Sequence, residues 1–161
     1  MYREEFERAI RIICQAAQEI YKDRLVSVAV FGSVGRGTPR PDSDIDLLVV
    51  AENLPGGRLK RMAEFAGVEE IVEAHAPEFR LIKPDLSPVI KEKSEVLQGS
   101  LLFLDLVDDV KICYDRGNFL FLYLDGLKRK LQQMGAQRVY RGGAWYWVLK
   151  ENYRPGEMIE I

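Results

Sequence analysis

Apolar positions recur every three or four residues from about Arg3 to Lys22: Phe6, Ile10, Ile13, Ala17 and Ile20, with Arg8, Arg11, Gln15 and Glu19 between them. That spacing predicts an amphipathic helix. The period then changes. Val26-Ser27-Val28-Ala29-Val30-Phe31 is β-branched and apolar on both faces, which predicts a strand ending at Gly32. Residues Gly32 to Ser43 hold three glycines, two prolines and two serines and read as a loop. Asp44 to Val50 predicts a second strand whose latter half, Leu47-Leu48-Val49-Val50, suits a position covered on both sides. After the turn Pro55-Gly56-Gly57, a helix is predicted from Arg58 to about Ala66, with its end near Gly67 and a second helix over Val68 to Ala76. Arg80-Leu81-Ile82 and Leu86 to Ile90 are strand candidates, and Pro84 and Pro88 place them at an edge or a break. Lys93 to Asp105 predicts a helix and Val110 to Tyr114 a strand. Asn118 to Met134 predicts an amphipathic helix through Leu120, Leu124, Leu127, Leu131 and Met134, with Gly135 placed to end it. The stretch from Val139 to Tyr153 is aromatic-rich and reads as extended. This order predicts an α/β (α+β) fold, a small mixed sheet with helices packed on it.

The 161 residues suit one domain. We expect its body over residues 1–137, with 138–161 as an extension packed on the same domain. Charge changes the picture little: 23 basic and 25 acidic side chains leave a formal −2, which argues against nucleic-acid binding through bulk charge. One histidine all but removes histidine-based metal sites, and two cysteines, Cys14 and Cys113, build no four-ligand zinc site and read as buried free thiols. The charged start at Met1-Tyr2-Arg3-Glu4-Glu5 lacks a secretory apolar region, and no apolar run approaches the roughly 18 residues of a membrane span, so the expectation is a cytoplasmic protein with no membrane partner.

The informative chemistry lies between Phe31 and Val50. Asp44 and Asp46 are two apart on a strand, so both carboxylates leave one face about 7 Å apart at Cα. Such a pair converges on divalent cations, and hard oxygen donors without histidine favour Mg²⁺ or Mn²⁺ over zinc. Upstream, the glycines of the turn let backbone N–H groups approach phosphate, Ser33 adds a hydroxyl and Arg36 a bidentate fork, and Gly32, Ser33, Arg36, Gly37 and Thr38 are the candidate nucleotide-binding residues. A phosphate cradle beside a two-carboxylate metal site fits phosphoryl or nucleotidyl transfer. Other motifs fail on detail. Thr38-Pro39 stands where a P-loop needs Lys-Ser/Thr, Arg40 replaces the third glycine of a dinucleotide fingerprint, and Leu47 replaces the glycine of a calcium loop. A turn-rich loop before an acidic strand is the bland alternative, and it leaves two carboxylates on an otherwise apolar strand without a partner.

Gly32-Ser33, ten residues, then Asp44-x-Asp46 and an apolar run resembles the signature of the DNA polymerase beta-like nucleotidyltransferase superfamily. Arg36-Gly37-Thr38 and Ser43-Asp44-Ile45-Asp46-Leu47 resemble its minimal nucleotidyltransferase (MNT) branch, antitoxin-type proteins often paired with a HEPN-domain partner. The resemblance implies a mixed sheet, an NTP (ATP first) bound with Mg²⁺ or Mn²⁺, and transfer of a nucleoside monophosphate to an acceptor hydroxyl. It implies that Gly32 and Ser33 hold the triphosphate, while Asp44 and Asp46 hold the metals. It also implies a third carboxylate on the next core strand. That position falls nearest Ser87, and Asp85, two residues before it on the same face, is the candidate; between two prolines, Asp85 also reads as a loop residue.

The expected acceptor is first a side chain on a partner protein, then a small molecule, then nucleic acid. The alternative function is a degenerate module that binds a partner or senses nucleotide without turnover. A homo-oligomer stays open. No Arg-x4-His arrangement exists, so the chain is not itself a HEPN-type nuclease. His75 reads as a helix-end residue, Lys128-Arg129-Lys130 as a solvated face, and Asp105, Asp108 and Asp109 as cap and turn residues. In the tail, Tyr140, Trp145, Tyr146, Trp147 and Tyr153 lie among Arg138, Arg141, Lys150 and Arg154. Such a mixture can stack bases, but paired tryptophans two apart on a strand more often pack on a helix.

Overall fold

The computed structural model describes residues 1–141 and 144–149. Four strands form a mixed sheet: β1 (Leu25–Phe31), β2 (Ile45–Ala51), β3 (Leu86–Glu92) and β4 (Lys111–Asp115), in the spatial order β3-β2-β1-β4. β1 runs antiparallel to β2 and β4, and β2 runs parallel to β3. Every residue of β2 but Asp46 is buried, as its two-sided apolar run requires.

The helices cover both faces. α1 (Tyr2–Tyr21) and α3 (Arg58–Ala74) pack on one, with Val28, Val30, Ile45, Leu47 and Val49 beneath them. α4 (Lys93–Gln98), α5 (Leu102–Leu106) and α6 (Phe119–Gln133) lie on the other, over Val26, Ala29, Leu48 and Val50. A four-residue helix, α2 (Gly32–Gly35), turns the chain at the end of β1. A hairpin of β5 (Gln137–Arg141) and β6 (Ala144–Val148) follows α6, and Trp147 packs against the second core. The side chains of Tyr140, Arg141 and Trp145, and residues Lys150, Tyr153 and Arg154, lie outside what is described. Among the described residues, no helix is long and apolar enough to cross a membrane.

Several elements depart from expectation. The two helices expected over residues 58–76 are one, because Gly67 lies where α3 crosses α1: a Cβ there would sit 2.7 Å from Ile20 Cδ1. The helix expected from Lys93 to Asp105 is two, broken at Gly99, which takes φ +85°. Arg80-Leu81-Ile82 is not a strand. Its three N–H groups instead donate to the Glu5 carboxylate at 2.8, 2.8 and 3.0 Å. Asp105 lies within α5, Asp108 faces Lys128 at 3.7 Å, and Asp109 pairs with Arg138 at 2.6 Å. The start of α6 is capped instead by Asp115, which accepts bonds from the Leu120 and Phe121 N–H groups and the Ser27 hydroxyl. Cys14 and Cys113 are free but only half-buried. Gly135 does end α6, at φ +71°, where its N–H reaches Gln132 O and that of Ala136 reaches Leu131 O.

Candidate active site

The site forms where β1 and β2 end side by side, Phe31 being paired with Asp46. β2 alternates its faces, so Asp44 and Asp46 leave on the side of Leu48 and Val50. Those two apolar residues are roofed by the α4–α6 layer. Asp46 is half-buried and Asp44 is exposed, so the pair marks where the buried strand opens to solvent.

α2 frames the opposite wall. Its residues form one tight turn: Arg36 N–H donates to Gly32 O at 3.0 Å, Gly37 N–H to Val34 O at 3.1 Å, and Thr38 N–H to Ser33 O at 2.9 Å. The last two are the crossed bonds of a helix end closed by a left-handed glycine, and Gly37 has φ +77°. Gly32 is required twice over. It takes φ +66°, and a Cβ there would lie 2.0 Å from Asp46 Oδ2. Only a glycine lets the turn lie against the carboxylate. Gly35, which sequence reasoning passed over, is equally confined: a Cβ would meet the Val30 carbonyl oxygen at 2.6 Å and that of Asp109 at 2.9 Å. Nothing in its local pattern marks it, since Asp109 arrives from 74 residues away.

Burial pushes the Asp46 carboxyl above its ordinary range, the neighbouring Asp44 charge adds to that, and Arg36 pulls it back. Two carboxylates that repel each other beside a cationic residue are electrostatically short of positive charge. The donor set fits a divalent cation of the Mg²⁺ type, which is held by one or two carboxylates together with water and substrate phosphates. Among the described residues, no group of three or more His, Cys, Asp or Glu side chains is arranged to hold a metal. Mg²⁺ needs no such all-protein cage.

Asp85 immediately precedes β3, and its carbonyl accepts the Ile45 N–H at 2.8 Å. Asp85 lines a depression of about 320 Å³ with Asp42, Asp44, Lys83 and two prolines, and the register that pairs Ile45 with Leu86 continues to set it level with Asp44. Ser87 is the residue in register with Asp46. Lys83 is a second member that the sequence did not reveal. The site is shallow, and a larger cleft of about 510 Å³ lies elsewhere, along β3. His75 lies at the end of α3 and contacts Glu78, away from these residues.

Comparison with known proteins supplies the family. Residues 10–102 match the model of the nucleotidyltransferase domain family. The chain is 34% identical over 116 residues, 71% of its length and 75% of the relative's, to a Methanocaldococcus jannaschii protein named "Putative protein adenylyltransferase MJ1305". Two solved structures align with the chain at a TM-score of 0.49. One is a toxin–antitoxin complex with AMP-PNP, at 18% identity and covering 75% of this chain and 88% of that one. The other is a complex of tri-AMPylated HEPN toxin with MNT antitoxin from Shewanella oneidensis, at 15% identity and covering 79% and 89%. The match runs from the middle of α1 to the start of α5 and includes the turn and both aspartates, so the chain belongs to the nucleotidyltransferase domain family and is a nucleotidyltransferase.

Proposed function

We propose that the chain transfers AMP from ATP, with Mg²⁺, to a hydroxyl on a partner protein. The observation that carries this reading is Gly32 pressed on Asp46: a glycine turn and a two-carboxylate strand end occupy one corner of the sheet. The protein acceptor rests on the name of the 34%-identical relative. A HEPN-type partner is the first candidate, from the resemblance of residues 36–47 to the MNT branch. A cytoplasmic place of action, where ATP is at hand, goes with this reading.

In this scheme the backbone at Gly32 and Ser33, with the Ser33 hydroxyl, holds the terminal phosphates. Arg36 and Thr38 extend that grip, and Gly37 fixes the turn that presents them. Asp44 and Asp46 hold the cation, which when bound supplies positive charge to the phosphates and the departing pyrophosphate. Asp85 takes the proton of the acceptor hydroxyl on a carboxylate oxygen. The acceptor oxygen bonds to the α-phosphorus, the α–β bridge breaks, and its electron pair leaves with pyrophosphate.

The test incubates the protein with Mg²⁺, a candidate HEPN partner, and ATP labelled at either the α- or the γ-phosphate. The reading expects α-label, and no γ-label, to become covalently fixed to protein, and Asp46→Asn to remove it. Transfer of γ-label, or α-label unaffected by Asp46→Asn, overturns the reading.

A further inference from the structure

β3 is an edge strand, and no other strand of the described residues pairs with its outer side. Its ladder can be read from a single bond, Ile45 N–H to Asp85 O. In a parallel pair, alternate residues point both backbone groups the same way. Asp85, Ser87, Val89 and Lys91 therefore face β2, and Leu86, Pro88, Ile90 and Glu92 face outward. Pro88, which has no N–H to offer, sits where a ladder bond to β2 is not required. The Glu92 N–H is taken by Glu95 at 2.7 Å. Leu86 and Ile90 keep outward N–H groups, and Leu86, Pro88 and Ile90 keep outward carbonyls.

This edge is not flush with the surface. The cleft of about 510 Å³ runs along Pro88–Lys91 and is walled by Arg58, Arg61 and Met62 at the start of α3 and by Glu95 of α4. Residues from both faces of β3 line it, so the cleft wraps the strand's edge rather than one side of the sheet. Its charge is three cations, Arg58, Arg61 and Lys91, against one carboxylate, Glu95. Arg61 already bonds Glu95 at 2.6 Å and the Pro55 carbonyl at 2.9 Å. With Arg58 and Lys91 added, the cleft keeps a net positive charge that prefers an anionic occupant.

The edge also leads to the candidate active site. Ser87 is in register with Asp46, and Pro88 follows it directly. A strand added outside β3 would lie two strand spacings, about 10 Å, from β2. An acceptor side chain and an α-phosphate bridge that span together.

We propose that the open edge of β3 docks an extended, acidic segment of the acceptor protein as a fifth strand, and so delivers its hydroxyl to the Asp44–Asp46 site. The proposal rests on the protein-acceptor reading above and specifies how that acceptor binds. Backbone bonds to Leu86, Pro88 and Ile90 supply affinity, while Arg58 and Lys91 select acidic side chains.

The experiment titrates the full chain with a fluorescent ten-residue peptide of alternating glutamate and threonine, followed by anisotropy. Saturable binding is expected, and it should weaken at least tenfold when alternate peptide nitrogens are methylated. Ile90→Pro, which removes the outward N–H, should weaken it similarly, as should Arg58→Glu with Lys91→Glu. The charge-reversal pair retains the strand's packing and serves if Ile90→Pro does not fold. No saturable binding, indifference to methylation and to both variants, or equal competition by a ten-residue thymidine oligonucleotide overturns the proposal. Mg²⁺-dependent ATP binding, measured on the same samples, separates the two ideas. Lost peptide binding with ATP binding intact removes only the docking edge. Absent ATP binding with peptide binding intact removes the transfer reading.

Discussion

At the scale of single residues, the site is defined by what cannot be added. A methyl group on Gly32 would lie 2.0 Å from Asp46 Oδ2, on a backbone at φ +66°. The left-handed backbone alone costs a side chain about 1–2 kcal/mol. Gly32→Ala is therefore expected to weaken Mg²⁺-dependent ATP binding at least tenfold while leaving the circular dichroism spectrum in place; unchanged binding would show that the turn does not frame the site. Asp46 offers a second reading at this scale. Its carboxyl is raised by burial and by Asp44, and lowered by Arg36. In metal-free protein, carbon-detected NMR should show it titrating above the ordinary aspartate value of 3.8. Asp44→Asn should move that midpoint down and Arg36→Ala should move it up. The Gly32-Ser33 and Asp44-x-Asp46 spacing was legible because each pair is local in sequence. Gly35 and Lys83 were not, since their neighbours arrive from distant segments.

At the scale of elements, carboxylates far apart in sequence fix the loops. Glu5 on α1 accepts three N–H bonds from Arg80, Leu81 and Ile82, and so anchors the segment that leads into Lys83 and Asp85. These bonds, the Arg80 N–H first, hold its carboxyl below the ordinary value of 4.5. The charged form is thus favoured in the folded chain. Its contribution to stability is complete above pH 4.5 and is lost as pH falls through the lowered folded value. Glu5→Gln should flatten that acid limb in urea melts followed across pH, and an unchanged limb would show that Glu5 does not carry it. Asp115 closes α6 through Leu120 and Phe121, and removing such a cap by Asp115→Ala should cost about 1–2 kcal/mol. Two segments are misread because a distant group decides their local structure. Residues 80–82 read as a strand, but their N–H groups are satisfied by a side chain 75–77 positions away. Gly67 reads as a helix end, but it is the crossing point of α1 and α3. Periodicity reports which face is apolar; it does not report which distant group arrives to meet it.

At the scale of the molecule, two helical layers on one mixed sheet leave a corner where the buried strand β2 begins with acid. Leu48, fully buried in that strand, packs in the core behind Asp46. Leu48→Ala should cost about 2–5 kcal/mol in chemical denaturation. The order of helices and strands was legible because β1 and β2 are short apolar runs rich in valine and because α1 and α6 keep their period. Strand order and the open edge of β3 were not, because pairing is decided between segments. The sheet gathers the candidate site: β1 ends in the glycine turn, β2 begins with the carboxylates, and β3 follows directly on Asp85.

The most direct test of the central claim is calorimetric titration of the purified chain with ATP, with and without Mg²⁺, in wild type and in Asp46→Asn. The account predicts binding that needs Mg²⁺ and falls at least tenfold in Asp46→Asn. Equal affinity in the two proteins, or affinity indifferent to Mg²⁺, would contradict the assignment of Asp44 and Asp46 as the metal-holding pair.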